Sequence, residues 1–162
     1  MLTNSTIVIF LTIITFTFGA MTDCDVYQRT WNIVAYYNNA DDLSVKENHP
    51  FYNTSLFSEN LVINLGSMTA TTGQYLEAYS DVNVKGMQAN PTWVECSPWE
   101  WCHMHLMTTY YGHNGGSISM RQFWTFVFSP ESCLVTKFNI LMEARDNDIL
   151  STAFGSGSTT EL

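Results

Sequence analysis

From Tyr27 to Tyr37 the side chains alternate, with Trp31, Ile33, Ala35 and Tyr37 on one face of an extended chain and Thr30, Asn32, Val34 and Tyr36 on the other. That period of two, in a segment rich in β-formers, predicts a strand. Leu61, Ile63 and Leu65 alternate likewise with Asn60, Val62 and Asn64, and β-type composition recurs over Thr71 to Val84, Thr92 to Cys96, Trp101 to Tyr111, Ile118 to Phe128 and Cys133 to Met142. Turn chemistry separates these runs. His49-Pro50 breaks the polar loop Ala40 to Ser58, Gly86 to Pro91 interrupts the pattern, Ser97-Pro98 and Ser129-Pro130-Glu131 reverse the chain, and Gly112 to Gly116 supplies the positive-φ residues of a hairpin.

About seven or eight strands joined by short turns, with no amphipathic helix between them, predict an all-β fold with an antiparallel sheet. An up-and-down barrel of about eight strands satisfies this, and so does a two-sheet β-sandwich. Arg145 to Leu150 suits one turn of helix, and residues 151–162 read as a flexible Gly/Ser/Thr tail.

Residues 1–20 carry no charged side chain, and Ile7 to Phe18 form an apolar run that ends in small residues before Asp23 and Asp25. This is the pattern of a signal peptide, so residues 21–150 are expected to form one exported domain with no membrane segment after cleavage. Acidic residues number 15 against 6 basic, a net charge of -9, which opposes binding to nucleic acid. Export also changes the reading of the cysteines. Cys24, Cys96, Cys102 and Cys133 should pair in an oxidising compartment. Three connectivities exist, of which Cys24 with Cys133 and Cys96 with Cys102 is preferred. Asn53-Thr54-Ser55 is a glycosylation sequon in the exposed loop.

Candidate chemistry is sparse. His103 and His105 lie two apart on one strand, so their imidazoles share a face between Trp101 and Met107 at a separation that suits one metal ion. A third ligand is needed; His49, His113, Glu95 and Glu100 are the candidates, and two histidines lining a pocket is the simpler reading. No nucleophile elbow, phosphate loop, zinc-protease helix or calcium loop occurs, and no cofactor is implied. Aromatic residues make up 14% of the chain and methionines number 8, a surface chemistry suited to apolar ligands and equally to a β core. Of Trp93, Trp99 and Trp101, Trp99 should sit near a loop tip.

The stretch Cys24 to Asn38, C-D-V-Y-Q-R-T-W-N-I-V-A-Y-Y-N, resembles the first strand of the lipocalins, with Trp31 as the family tryptophan, Cys24 as the preceding cysteine and Arg29 where the family has its glycine. The resemblance implies a secreted barrel that carries a small hydrophobic or amphipathic ligand in its cup, with Trp31, Ile33, Ala35 and Tyr37 along the wall. Trp101, His103, His105 and Met107 join that site if their face points inward. Two other functions stay open: a secreted interaction module that binds a protein or glycan through aromatic loops such as Ser97 to Trp101, and an enzyme on the same barrel.

Overall fold

The structure, a computed structural model, describes residues 24–66, 68–80 and 84–142. The expected signal segment 1–20, the helical turn at Arg145 to Leu150 and the tail 151–162 lie outside the described residues.

The chain begins with a helix where a strand is expected: α1 runs Val26–Asn39. Asp25 caps it, its carboxylate accepting from Gln28 N at 2.9 Å. Val26, Thr30, Ile33, Val34 and Tyr37 form its buried face, a spacing of three and four that closes one stripe of a helix. Two 3₁₀ turns, Lys46–Asn48 and Pro50–Tyr52, then lead to β1, Phe57–Leu65, and β2, Met68–Thr71. The expected strand Thr71 to Val84 is instead a second helix, α2, Thr72–Ser80. Its start is a reciprocal capping box: Gln74 N donates to Thr71 Oγ1 at 3.3 Å, and Gln74 Oε1 accepts from Thr71 N at 2.9 Å.

β3, Val84–Cys96, β4, Trp101–Gly112, β5, Ser117–Phe128, and β6, Val135–Met142, complete a six-stranded sheet in the order β2-β1-β6-β5-β4-β3. The sheet is mixed and open, neither a closed barrel nor a sandwich. β3 to β6 form an antiparallel meander, but β1 lies parallel to β6, with Ile63 opposite Phe138 and Asn64 opposite Asn139. The break expected at Gly86 to Pro91 is a single strand with register shifts between Val84 and Gly86 and between Pro91 and Trp93.

One face of the sheet is covered. Met104, Leu106, Trp124, Phe126, Phe138, Ile140 and Ile63 point from it into the core beneath α1. Cys24 is bonded to Cys133, which ties the start of α1 to the approach to β6, and Cys96 to Cys102, which closes the β3–β4 turn. Trp99 is exposed in that turn. The long closure constrains the unfolded chain and contributes about 4 kcal/mol by the chain-entropy estimate. No helix among the described residues is long and apolar enough to cross a membrane.

Candidate functional site

The residues read from the sequence as one ligand wall are divided by the sheet. Ile33 and Tyr37, four apart on α1, point into the core; Ala35 is exposed and Trp31 is half-buried against Tyr27, ring centroids 6.1 Å apart. Helical period explains the split, since positions two apart on a helix point in widely different directions. Trp101, His103, His105 and Met107 lie on the opposite, outer face of the sheet, because β4 buries Cys102, Met104, Leu106 and Thr108.

The inner side holds a set of polar groups in an otherwise apolar core. Gln122, buried on β5, accepts from Thr108 Oγ1 at 3.0 Å and from Trp124 Nε1 at 2.8 Å through Oε1, and donates from Nε2 to the Tyr110 hydroxyl at 2.9 Å. Tyr37 packs on Trp124, with centroids 5.3 Å apart, and on His49, at 5.8 Å. Burial raises the Tyr37 phenol well above its usual range, and the nearby Tyr75 and Tyr110 hydroxyls raise it further; burial and Tyr110 raise Tyr75 in the same way. The Tyr37 and Tyr75 phenols therefore stay protonated at neutral pH.

His49 is fully buried, and desolvation pulls its imidazole down to about 3. Its Nδ1 accepts from Phe51 N at 3.4 Å, so the neutral ring carries its proton on Nε2. One buried hydroxyl stands out against this satisfied network. Thr30 Oγ1, on the buried face of α1, has no hydrogen-bond partner among the described residues. A buried hydroxyl left without a partner costs about 1–3 kcal/mol. No carboxylate among the described residues is buried with it.

On the outer face His105 sits between Trp93 and Phe123, centroids 5.0 and 4.0 Å away, and His103 lies 4.4 Å from the Trp101 ring while its Nδ1 is 2.7 Å from Thr125 Oγ1. Among the described residues no group of three or more His, Cys, Asp or Glu side chains is placed to hold a metal ion. Glu95 stands opposite His103 in register, while His49 is in the core and His113 pairs with Asp42 at 3.4 Å. Asn53 of the sequon closes a turn, its Oδ1 accepting from Ser55 N at 3.0 Å.

Sequence reasoning passed over Tyr75, Tyr110, Gln122 and Trp124. A signal for Gln122 existed: it occupies the same alternation as Met120, Trp124 and Phe126, a polar amide in register with buried apolar residues.

No family model matches the chain, and no curated protein matches it. Solved structures do resemble it. An NTF2-like protein of unknown function from Burkholderia pseudomallei superposes with a TM-score of 0.58 at 9% identity, over 81% of this chain and 98% of that one. An NTF2-like protein from Anabaena variabilis gives 0.57 at 10% identity, over 78% and 96%. The BvnE pinacolase from Penicillium brevicompactum gives 0.58 at 11% identity, over 83% and 96%. The likeness is one of fold alone: an open six-stranded sheet with two helices, as in NTF2-like structures and unlike the closed barrel expected of a lipocalin.

Proposed function

We propose that the protein is an exported carrier that binds a small, mainly apolar molecule on the inner side of the sheet beneath α1, and that it fixes an oxygen of that molecule with the Tyr37 hydroxyl. The observation that carries this reading is the set of polar groups buried in an aromatic core: Tyr37 packs on Trp124 and His49 beside the Gln122–Tyr110 network, and Thr30 Oγ1 on the same face of α1 has no hydrogen-bond partner among the described residues. A carbonyl, hydroxyl or phenolic oxygen of a ligand can hydrogen-bond with the Tyr37 phenol or the Thr30 hydroxyl, while Trp124, Phe51 and Tyr75 offer apolar contact. Ile33 and Tyr37 of the wall read from the sequence belong to this site; the outer residues of β4 do not.

Binding is favoured over acid–base catalysis. With its imidazole near 3, His49 is a feeble proton acceptor at neutral pH, and no buried carboxylate among the described residues complements it. The pinacolase among the structural neighbours shows that enzymes use this architecture, without transferring their chemistry to a chain 11% identical. Export by residues 1–20 and glycosylation of Asn53 belong to the same proposal, and both disulfides suit an oxidising compartment.

Native mass spectrometry of the protein secreted by its own source, beside the Tyr37→Phe variant, tests the reading. A co-purifying small molecule that the wild type retains and the variant loses supports it. Wild-type protein that is empty and whose tryptophan emission is indifferent to apolar ligands at about 100 μM, well above the roughly 1 μM affinity worth about 8 kcal/mol, overturns it.

A further inference from the structure

The outer face of the sheet, which the carrier reading leaves unused, is built in two adjacent rows. Trp93, His105, Phe123 and Leu141 stand opposite one another across β3, β4, β5 and β6, and Trp93 and Phe123 are 46% and 47% exposed. In the next row, two residues along, His103, Thr125, Asn139, Asn64 and Thr69 continue from β4 to β2. This second row is a polar ladder: Asn64 Nδ2 donates to Asn139 Oδ1 at 2.6 Å, and Thr69 Oγ1 donates to Asn64 Oδ1 at 2.9 Å.

The rows are not flat. A hollow of about 660 Å³ lies on the aromatic side, against His105, Met107, Arg121 and Phe123, and one of about 550 Å³ lies on the polar side, against Asn64, Asn139, Thr125 and Lys137. Leu141 lines both, so they adjoin. Each hollow carries one cation, Arg121 or Lys137, and no carboxylate among its described lining residues, in a chain with 15 acidic and 6 basic side chains.

We propose that this face binds an acidic oligosaccharide, one sugar stacked on the Trp93–Phe123 row with its carboxylate at Arg121 and a neighbouring sugar hydrogen-bonded along the Asn64–Asn139 ladder with its carboxylate at Lys137. A pyranose has an apolar C–H face and a rim of hydroxyls, which matches an aromatic row beside an amide ladder. From β5 to β2 the ladder spans about 14 Å, long enough for more than one sugar ring. One cation per hollow suits one carboxylate per sugar, not the dense phosphates of nucleic acid, and the acidic remainder of the surface is screened beyond about 8 Å at physiological salt.

Titration of the secreted protein with oligogalacturonate and with a neutral cello-oligosaccharide of equal length, followed by calorimetry and tryptophan emission, tests this. The acidic sugar should bind at least tenfold more tightly than the neutral one. Phe123→Ala should weaken it tenfold or more, and Arg121→Gln and Lys137→Gln each several-fold, with circular dichroism unchanged. Tyr37→Phe should leave it unaltered, which separates this site from the inner one. Equal binding of both sugars, no binding at millimolar concentration, or a concentration-dependent dimer abolished by Phe123→Asp overturns the proposal.

Discussion

The rings of Tyr37 and Trp124 meet across the helix–sheet interface with centroids 5.3 Å apart, and the Trp124 indole N–H is held by Gln122 at 2.8 Å. Whatever approaches the Tyr37 hydroxyl therefore perturbs an indole whose orientation is fixed by a hydrogen bond.

Tyr37→Phe separates packing from hydrogen bonding. If the hydroxyl serves the ligand and not the fold, its removal should change the stability of the empty protein by no more than about 1 kcal/mol, while affinity for an oxygen-bearing ligand falls roughly tenfold. Tyr37→Ala, by contrast, should cost about 3–5 kcal/mol of stability, as truncation of a buried ring does. Urea denaturation with and without ligand distinguishes the two. A large stability loss in the Phe variant would show that the hydroxyl is already satisfied within the protein.

Gln122 is the hub of the inner network. Gln122→Leu is close in volume but removes the partner of Thr108, Tyr110 and Trp124 together, so the variant should lose at least about 2 kcal/mol, with a red shift in tryptophan emission. Gln122→Glu keeps acceptors for Thr108 and Trp124 and should behave differently as pH rises, since burial disfavours its ionised form. Equal stability of Gln122→Leu and wild type would remove the network from the account.

The strands β4, β5 and β6 were legible because their alternation is strict and their turns carry Gly or Pro, and of the three connectivities that the sequence leaves open the preferred one is present. The helices were not. Trp31, Ile33, Ala35 and Tyr37 fit a period of two, yet Val26, Thr30, Ile33, Val34 and Tyr37 fit a helical stripe equally well, and the deciding sign was Asp25 at the cap position. The capping box Thr71-Thr72-Gly73-Gln74 was likewise in plain view. The parallel pairing of β1 with β6 left no local trace, because it joins segments about 75 residues apart through the packing of the whole sheet. That is why Ile33 and Tyr37, common to both periods, kept their inward place, while the His103–His105 face could not be assigned a side.

The two disulfides should differ in weight. Cys24 and Cys133 are 109 residues apart and Cys96 and Cys102 only 6, so replacing the first pair by serine should cost about 4–5 kcal/mol and the second about 2 kcal/mol. Thermal unfolding of each double variant checks the order, and denatured wild-type protein should show no titratable thiol from these four cysteines. A Cys24→Ser/Cys133→Ser protein as stable as its counterpart at the hairpin would mean that α1 is held by packing alone.

His49 gives the fold a pH dependence of defined sign. Its imidazole is near 3 in the folded protein and near the ordinary 6.5 when unfolded, so between these values the unfolded chain binds the extra proton. Stability from this residue is thus complete above about pH 6.5 and falls as pH drops towards 3, at up to about 1.4 kcal/mol per pH unit. Asp42 adds a smaller loss in the same direction: burial pushes its carboxyl up, but hydrogen bonds from Ser44 and the neighbouring His113 outweigh this and leave it below the usual range. His49→Gln keeps a polar side chain in the pocket but cannot titrate, so its urea midpoint should be lower than wild type at pH 7 and flatter between pH 6 and pH 4. A wild-type midpoint that does not change across that interval would place the His49 ring in contact with solvent or with a charge that stabilises the imidazolium.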